Sequence, residues 1–182
     1  MLSINSARLA CLMLVTVLAA VSPADEPEDE LKAAVVLSFL RYGEWEQVLP
    51  PNGALTVGVL GRPEFAQVLR HSLEGKSVND HSVHVVELKS VAAQQVCQVV
   101  YFASDKGLDI KAALETPALA RVLTIGETRD FLESGGAVNL FVLDGHMAFE
   151  VSKDALERSG INISSRLLRF GQIRSRKQGD RT

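Results

Sequence analysis

Apolar residues along this chain recur with two different periods, and the switching between them is the first structural signal. From 31 to 45, "LKAAVVLSFLRYGEW", helical spacing gives one apolar stripe of Leu31, Val35, Phe39 and Tyr42. A second stripe holds Ala33, Val36, Leu37 and Leu40. Only Glu30, Lys32 and Arg41 relieve the two with charge. The pattern predicts a helix buried on two sides, within the fold or against a second copy. The preceding "DEPEDE" suits the positive end of a helix dipole.

Beyond the breaker cluster "LPPNG", short apolar runs alternate with helical ones. Residues 54–61, 81–88, 97–103 and 120–127 read as strands rich in Val, Ile and Leu. Residues 63–75 read as a helix opened by Pro63 and stopped by Gly75, and 107–115 as another. This order predicts an α/β fold, a single three-layer domain around a mostly parallel sheet. Near the end, Asp144-Gly145 between "AVNLFVL" and "HMAFEVS" predicts a tight β-hairpin. Residues 153–160 then form a short helix capped by Ser152 and ended by Gly160.

The N-terminus changes the picture of where the chain works. Arg8, an apolar run from Leu9 to Val21, and small residues at Ser22-Pro23-Ala24 have the layout of a secretory signal peptide. The run is short of the roughly 20 residues a membrane span requires. Cleavage is expected after Ala24, with an uncleaved anchor as the rival reading. Cys11 lies too early in the apolar run for a lipoprotein site. Removing 24 of 182 residues leaves 158, enough for one compact domain. It also leaves 18 of the 19 Lys and Arg against 22 Asp and Glu, a formal charge of −4. Cys97 is then the only cysteine, so no intramolecular disulfide forms even in an oxidising compartment. The apolar sequence around it predicts a buried, unreactive thiol.

Candidate chemistry is sparse. Gly61 lies between a strand and a helix, where ligands of open α/β sheets bind, but neither glycine-rich phosphate signature is present. The carboxyl edge of the sheet is therefore the expected place for any small ligand, whose identity is unknown. His81 and His84 are three apart on a strand and point to opposite faces, so no metal site is expected. There is no GxSxG and no HExxH, hence no expected catalytic residue, no cofactor and no enzyme. Trp45 either covers the edge of the core or stacks on a ligand.

The C-terminal "GINISSRLLRFGQIRSRKQGDRT" is basic. With Ser164 as a cap, Leu167, Leu168 and Gly171 share one side of a helix and Arg166 and Arg169 point away. An acidic, exported chain does not suit nucleic acid. These arginines instead suit acidic groups on a protein partner. Residues 174–182 are expected to be a disordered basic tail.

Taken together, these segments resemble the YfiR-like family (YfiR/HmsC-like) of small periplasmic proteins. The resemblance rests on "LKAAVVLSFLRYGEW", "VGVLGRPEF", "LEGKSVNDHSVHVVEL", "CQVVYFA", "VLTIGE", "GGAVNLFVLDGHMAFEVS" and "ALERSGINISSRLLRFGQI". These segments are collinear over 31–173. Leu37-Ser38, Glu46 and Val151-Ser152 depart from the family's usual Tyr-Asn, Pro and Ile-Asn.

The resemblance implies a single domain over 25–173 in a periplasmic regulator. Such a regulator binds the periplasmic sensor region of an inner-membrane diguanylate cyclase, or another sensor protein, and represses it. Cyclic-di-GMP and biofilm formation fall as a result. On that reading Phe149, Glu150, Leu156, Ile161, Arg166 and Arg169 are expected to face the partner. Leu31, Val35, Phe39 and Tyr42 are expected to serve a possible homodimer. The alternative is a module that binds a small periplasmic ligand for a sensor kinase or a transporter.

Overall fold

The computed structural model describes residues 25–49, 53–94, 97–103 and 107–175. The expected signal peptide, 1–24, lies outside the described residues. The chain runs α1 (Asp25–Tyr42), β1 (Gly43–Glu44), β2 (Leu55–Leu60), α2 (Pro63–Leu73), β3 (Ser77–Val78), β4 (His81–Leu88) and β5 (Val99–Phe102). It continues through α3 (Ile110–Leu114), β6 (Leu123–Gly126), β7 (Val138–Leu143), β8 (His146–Ser152), α4 (Lys153–Ser159), β9 (Asn162–Ile163), α5 (Ser165–Leu168) and β10 (Gln172–Arg174). Short 3₁₀ turns at Val91–Gln94 and Pro117–Leu119 fill two connections.

Eight strands form one sheet in the order β10-β8-β7-β6-β5-β2-β4-β3, and β1 pairs with β9 separately. From β4 across to β7 the neighbours are parallel; β8 returns antiparallel, and β10 lies parallel beside β8. Every residue of β2, β5 and β6 is buried. Alternate residues feed two cores. Val57, Val59, Val99, Tyr101, Leu123 and Ile125 join the helices α1 and α2 on one face. Leu60, Val100 and Phe102 join Ala113, Leu119 and Phe131 on the other. Burial on both faces is why these strands read as unbroken apolar runs.

The hairpin forms as expected, with Asp144 at φ 50° and Gly145 at φ 78°. Ser152 and Ser164 both cap, their hydroxyls accepting from Ala155 N and Arg166 N, and Gly160 ends α4 at φ 68°. Trp45 belongs to the core edge: it is 1% exposed, and its Nε1 donates to the carbonyl of Leu40 at 2.7 Å. That bond satisfies a carbonyl in the last turn of α1 that has no helical donor.

Three expectations are corrected. First, α1 is buried on one broad face rather than on two sides. Four residues advance the helix by about 40° past a full turn, so Phe39 lies about 80° round from Leu31. Phe39 therefore packs with Ala33, Val36 and Leu40 in the core, Val35 is half-buried, and Leu31 and Tyr42 stay exposed. Second, Lys32 is not solvated relief but is itself buried. Third, the basic tail does not begin at 174. Residues Gln172–Arg174 form β10, and only the tail's 176–182 lie outside the described residues.

Candidate functional site

Parallel strands bring their carboxyl ends to one edge, and the loops leaving β2 and β6 meet the second turn of α1 there. Gly61, at φ 105°, turns the chain out of β2 and delivers Arg62. Tyr101 comes from β5, Glu127 follows β6, and Glu28, Asp29 and Lys32 come from α1. Arg62 grips Asp29, with Nη2 to Oδ2 at 2.6 Å and Nη1 to Oδ1 at 3.3 Å. Lys32 Nζ lies 2.7 Å from Glu127 Oε2 and 2.9 Å from Glu28 Oε1. The Tyr101 hydroxyl donates to Glu127 Oε2 at 3.0 Å. The cluster is deep: the side chains of Asp29, Lys32 and Glu127 are 6%, 10% and 14% exposed.

Burial by itself would lower the Lys32 pKa, but hydrogen bonds and charge from Glu127 and Glu28 outweigh it and hold it above 10.5. Burial, reinforced by the Glu127 charge, keeps the Tyr101 hydroxyl well above its ordinary 10.0. Lys32 and Tyr101 thus keep their protons at neutral pH. Within the cluster the charges are spent on one another, which clamps α1 to the sheet edge. Beside it opens a cleft of about 490 Å³, lined by Lys32, Glu127 and Arg129 together with Leu140, Phe141 and Val142. Sequence reading pointed to this edge through Gly61 but singled out none of the cluster, because its members lie far apart in the chain.

Elsewhere, burial pushes the Cys97 thiol up to about 11. Gly58 leaves it room: a Cβ there would sit 2.9 Å from Cys97 Sγ and 2.5 Å from Leu88 Cδ1. His81 Nδ1 donates to the carbonyl of Gly53 at 2.8 Å. Among the described residues no three His, Cys, Asp or Glu side chains converge as a metal site.

Of the residues expected to face a partner, Phe149, Glu150 and Ile161 are buried. Phe149 packs edge-on against Phe39, with centroids 5.1 Å apart, and is 7% exposed. Ile161 is 2% exposed. Glu150 is buried, accepts from Asn139 Nδ2 at 3.1 Å and pairs with Arg174 Nε at 2.5 Å. Leu156 is half-buried, while Arg166 and Arg169 are exposed. Phe149 is taken by the core because the face of β8 that carries it rests against α1, and Ile161, beyond α4, joins the same core. The exposed apolar residues of this region are instead Phe170 and Ile173. Placing Gly171 with Leu167 and Leu168 on one side of a helix passes over them. Gly171 actually admits the Phe149 ring, which a Cβ there would overlap.

A sequence model for a family described as YfiR/HmsC-like matches residues 29–172. No curated protein sequence matches the chain. Among solved structures, the chain is similar to the crystal structure of a conserved domain protein from Vibrio cholerae O1 biovar El Tor (strain N16961). The TM-score is 0.54 at 14% identity, over 81% of this chain and 60% of that one. At that identity the likeness is one of fold. The chain thus spans 60% of that structure's length.

Proposed function

The chain belongs to the YfiR/HmsC-like family, and from that premise we propose that it is a periplasmic regulator of an inner-membrane diguanylate cyclase. It binds the cyclase's periplasmic sensor region, holds the enzyme inactive, and so lowers cyclic-di-GMP and biofilm formation. The observation that carries this reading is the extent of the family match, which runs from the first buried turn of α1 to β10. The signal-like segment before Ala24 supports export. A regulator of this kind acts by preferring one conformation of its target. Moving a cyclase from 1% to 99% inactive requires about a 10⁴-fold preference for the inactive form.

A second reading has one specific observation in its favour. The cleft at the sheet's carboxyl edge is lined by both charged and apolar residues, which suits a small amphipathic ligand. On this reading the protein serves a sensor kinase or a transporter. A rise in melting temperature with a small molecule alone would favour it.

Intracellular cyclic-di-GMP in a deletion strain tests the first reading. The expected result is a rise on deletion, reversed by the full chain and not by residues 25–182 lacking the export segment. An unchanged level under conditions where the protein is expressed would sink it.

A further inference from the structure

The stretch from Arg158 to Gly179 carries Arg158, Arg166, Arg169, Arg174, Arg176 and Lys177 without one aspartate or glutamate. The whole chain, by contrast, has a formal charge of −3. One of these cations, Arg174, ends an open strand, and Arg169 lies three residues before that strand begins. β10 ends the sheet and bonds to β8 alone, so its outer edge is unpaired among the described residues. Its three residues are all exposed. Edge strands are ordinarily blunted by charge or cover, and here Arg174 cannot do this freely. It is drawn inward by Glu150, at 2.5 Å, and by Glu133, at 3.7 Å.

Beside Gln172 and the half-exposed Arg174, this edge carries apolar surface. Phe170 is 73% exposed and Ile173 57%, the highest values among the large apolar residues described. The Arg169 guanidinium sits 5.2 Å from the Phe170 ring centroid. No ion pair engages Arg166 or Arg169 among the described residues. The following residues 176–182, "RKQGDRT", carry no apolar side chain.

We propose that β10 is a docking edge that takes an extended, acidic segment of a partner protein as an added strand. Main-chain hydrogen bonds to the free edge supply affinity. Alternate apolar side chains of the segment meet Phe170 and Ile173, and its carboxylates meet Arg166 and Arg169. A second copy of this chain is the poorer occupant, because two-fold pairing of the edges would bring both arginine sets together. The inference deepens the regulatory reading and rests on it only for the identity of the partner as a periplasmic sensor region.

The test places photoreactive benzoylphenylalanine at position 170 of the full chain, in cells lacking the native copy. Exposed Lys111 on α3 serves as the control position. The expected result is an adduct from 170, absent from 111, to another protein at a segment rich in Asp and Glu. Its yield should fall at least tenfold in R166E/R169E at an unchanged melting temperature. An adduct to a second copy, an adduct insensitive to charge reversal, or no protein adduct (as an anionic lipid surface would give) overturns the proposal.

Cyclic-di-GMP in the same strains separates the two readings. Full repression by F170D/I173D overturns the docking edge and leaves the regulator standing. An acidic adduct without any effect of deletion on cyclic-di-GMP supports the edge and sinks the regulator.

Discussion

Arg62, one residue past the glycine that ends β2, holds Asp29 of α1 in a two-pronged ion pair whose shorter contact is 2.6 Å. The pair ties the first helix to the carboxyl edge of the sheet, and Lys32 and Glu127 form a second tie beside it. Removing one partner strands the other charge where water reaches it poorly. Asp29→Asn is expected to cost about 3 kcal/mol, the lower end for a broken buried pair because Arg62 is part-exposed. Urea unfolding measures this, and a midpoint equal to that of the unmodified chain would mean the clamp contributes nothing net.

The pH dependence should be one-sided and alkaline. Cys97, Tyr101 and Lys32 all have folded pKa values raised above their ordinary 9.0, 10.0 and 10.5. The folded chain therefore keeps protons that the unfolded chain releases. Their contribution is complete below about pH 9 and is lost as pH climbs through the folded values. With its folded value at about 11, Cys97 alone accounts for on the order of 2 kcal/mol lost by pH 11. Urea midpoints between pH 8 and 11, under reducing conditions, should fall in the unmodified chain from pH 9. In Cys97→Ala the fall should begin about one unit later. Superimposable profiles would remove Cys97 from the account.

Trp45 is the only tryptophan and is buried, so native emission should be blue-shifted and move to the red on unfolding. Trp45→Phe retains most of the ring but deprives the Leu40 carbonyl of its donor. The expected loss is about 1–3 kcal/mol, read by circular dichroism. A loss below 0.5 kcal/mol, on the order of a neutral surface change, would show that another donor replaces the indole.

Gly58 is required by close approach rather than by backbone freedom. Gly58→Ala drives a methyl group into Leu88 and Cys97 and should cost about 1–3 kcal/mol. Cys97→Ala in the same chain should recover part of the loss, since the two sites share one space. Strict additivity in calorimetry would argue against that contact.

Much of this architecture was legible in the sequence. The buried strands stood out because burial on both faces demands unbroken Val, Ile and Leu. The hairpin stood out because Asp144-Gly145 accepts the positive φ of its turn, and α4 because Ser152 and Gly160 cap it. These are local demands that neighbouring residues satisfy among themselves. Sheet order, the clamp and the free edge of β10 were not local. Asp29 and Arg62, or Lys32 and Glu127, look like ordinary solvated charges until parallel pairing sets β2 and β6 under α1. Phe149 looked available to a partner until α1 covered it. Gln172–Arg174 is too short to announce a strand and exists only because β8 offers its backbone. Periodicity determined which residues are apolar together. The tertiary structure alone decided which charges lost water and which apolar groups kept it, because exposure depends on what a distant segment covers.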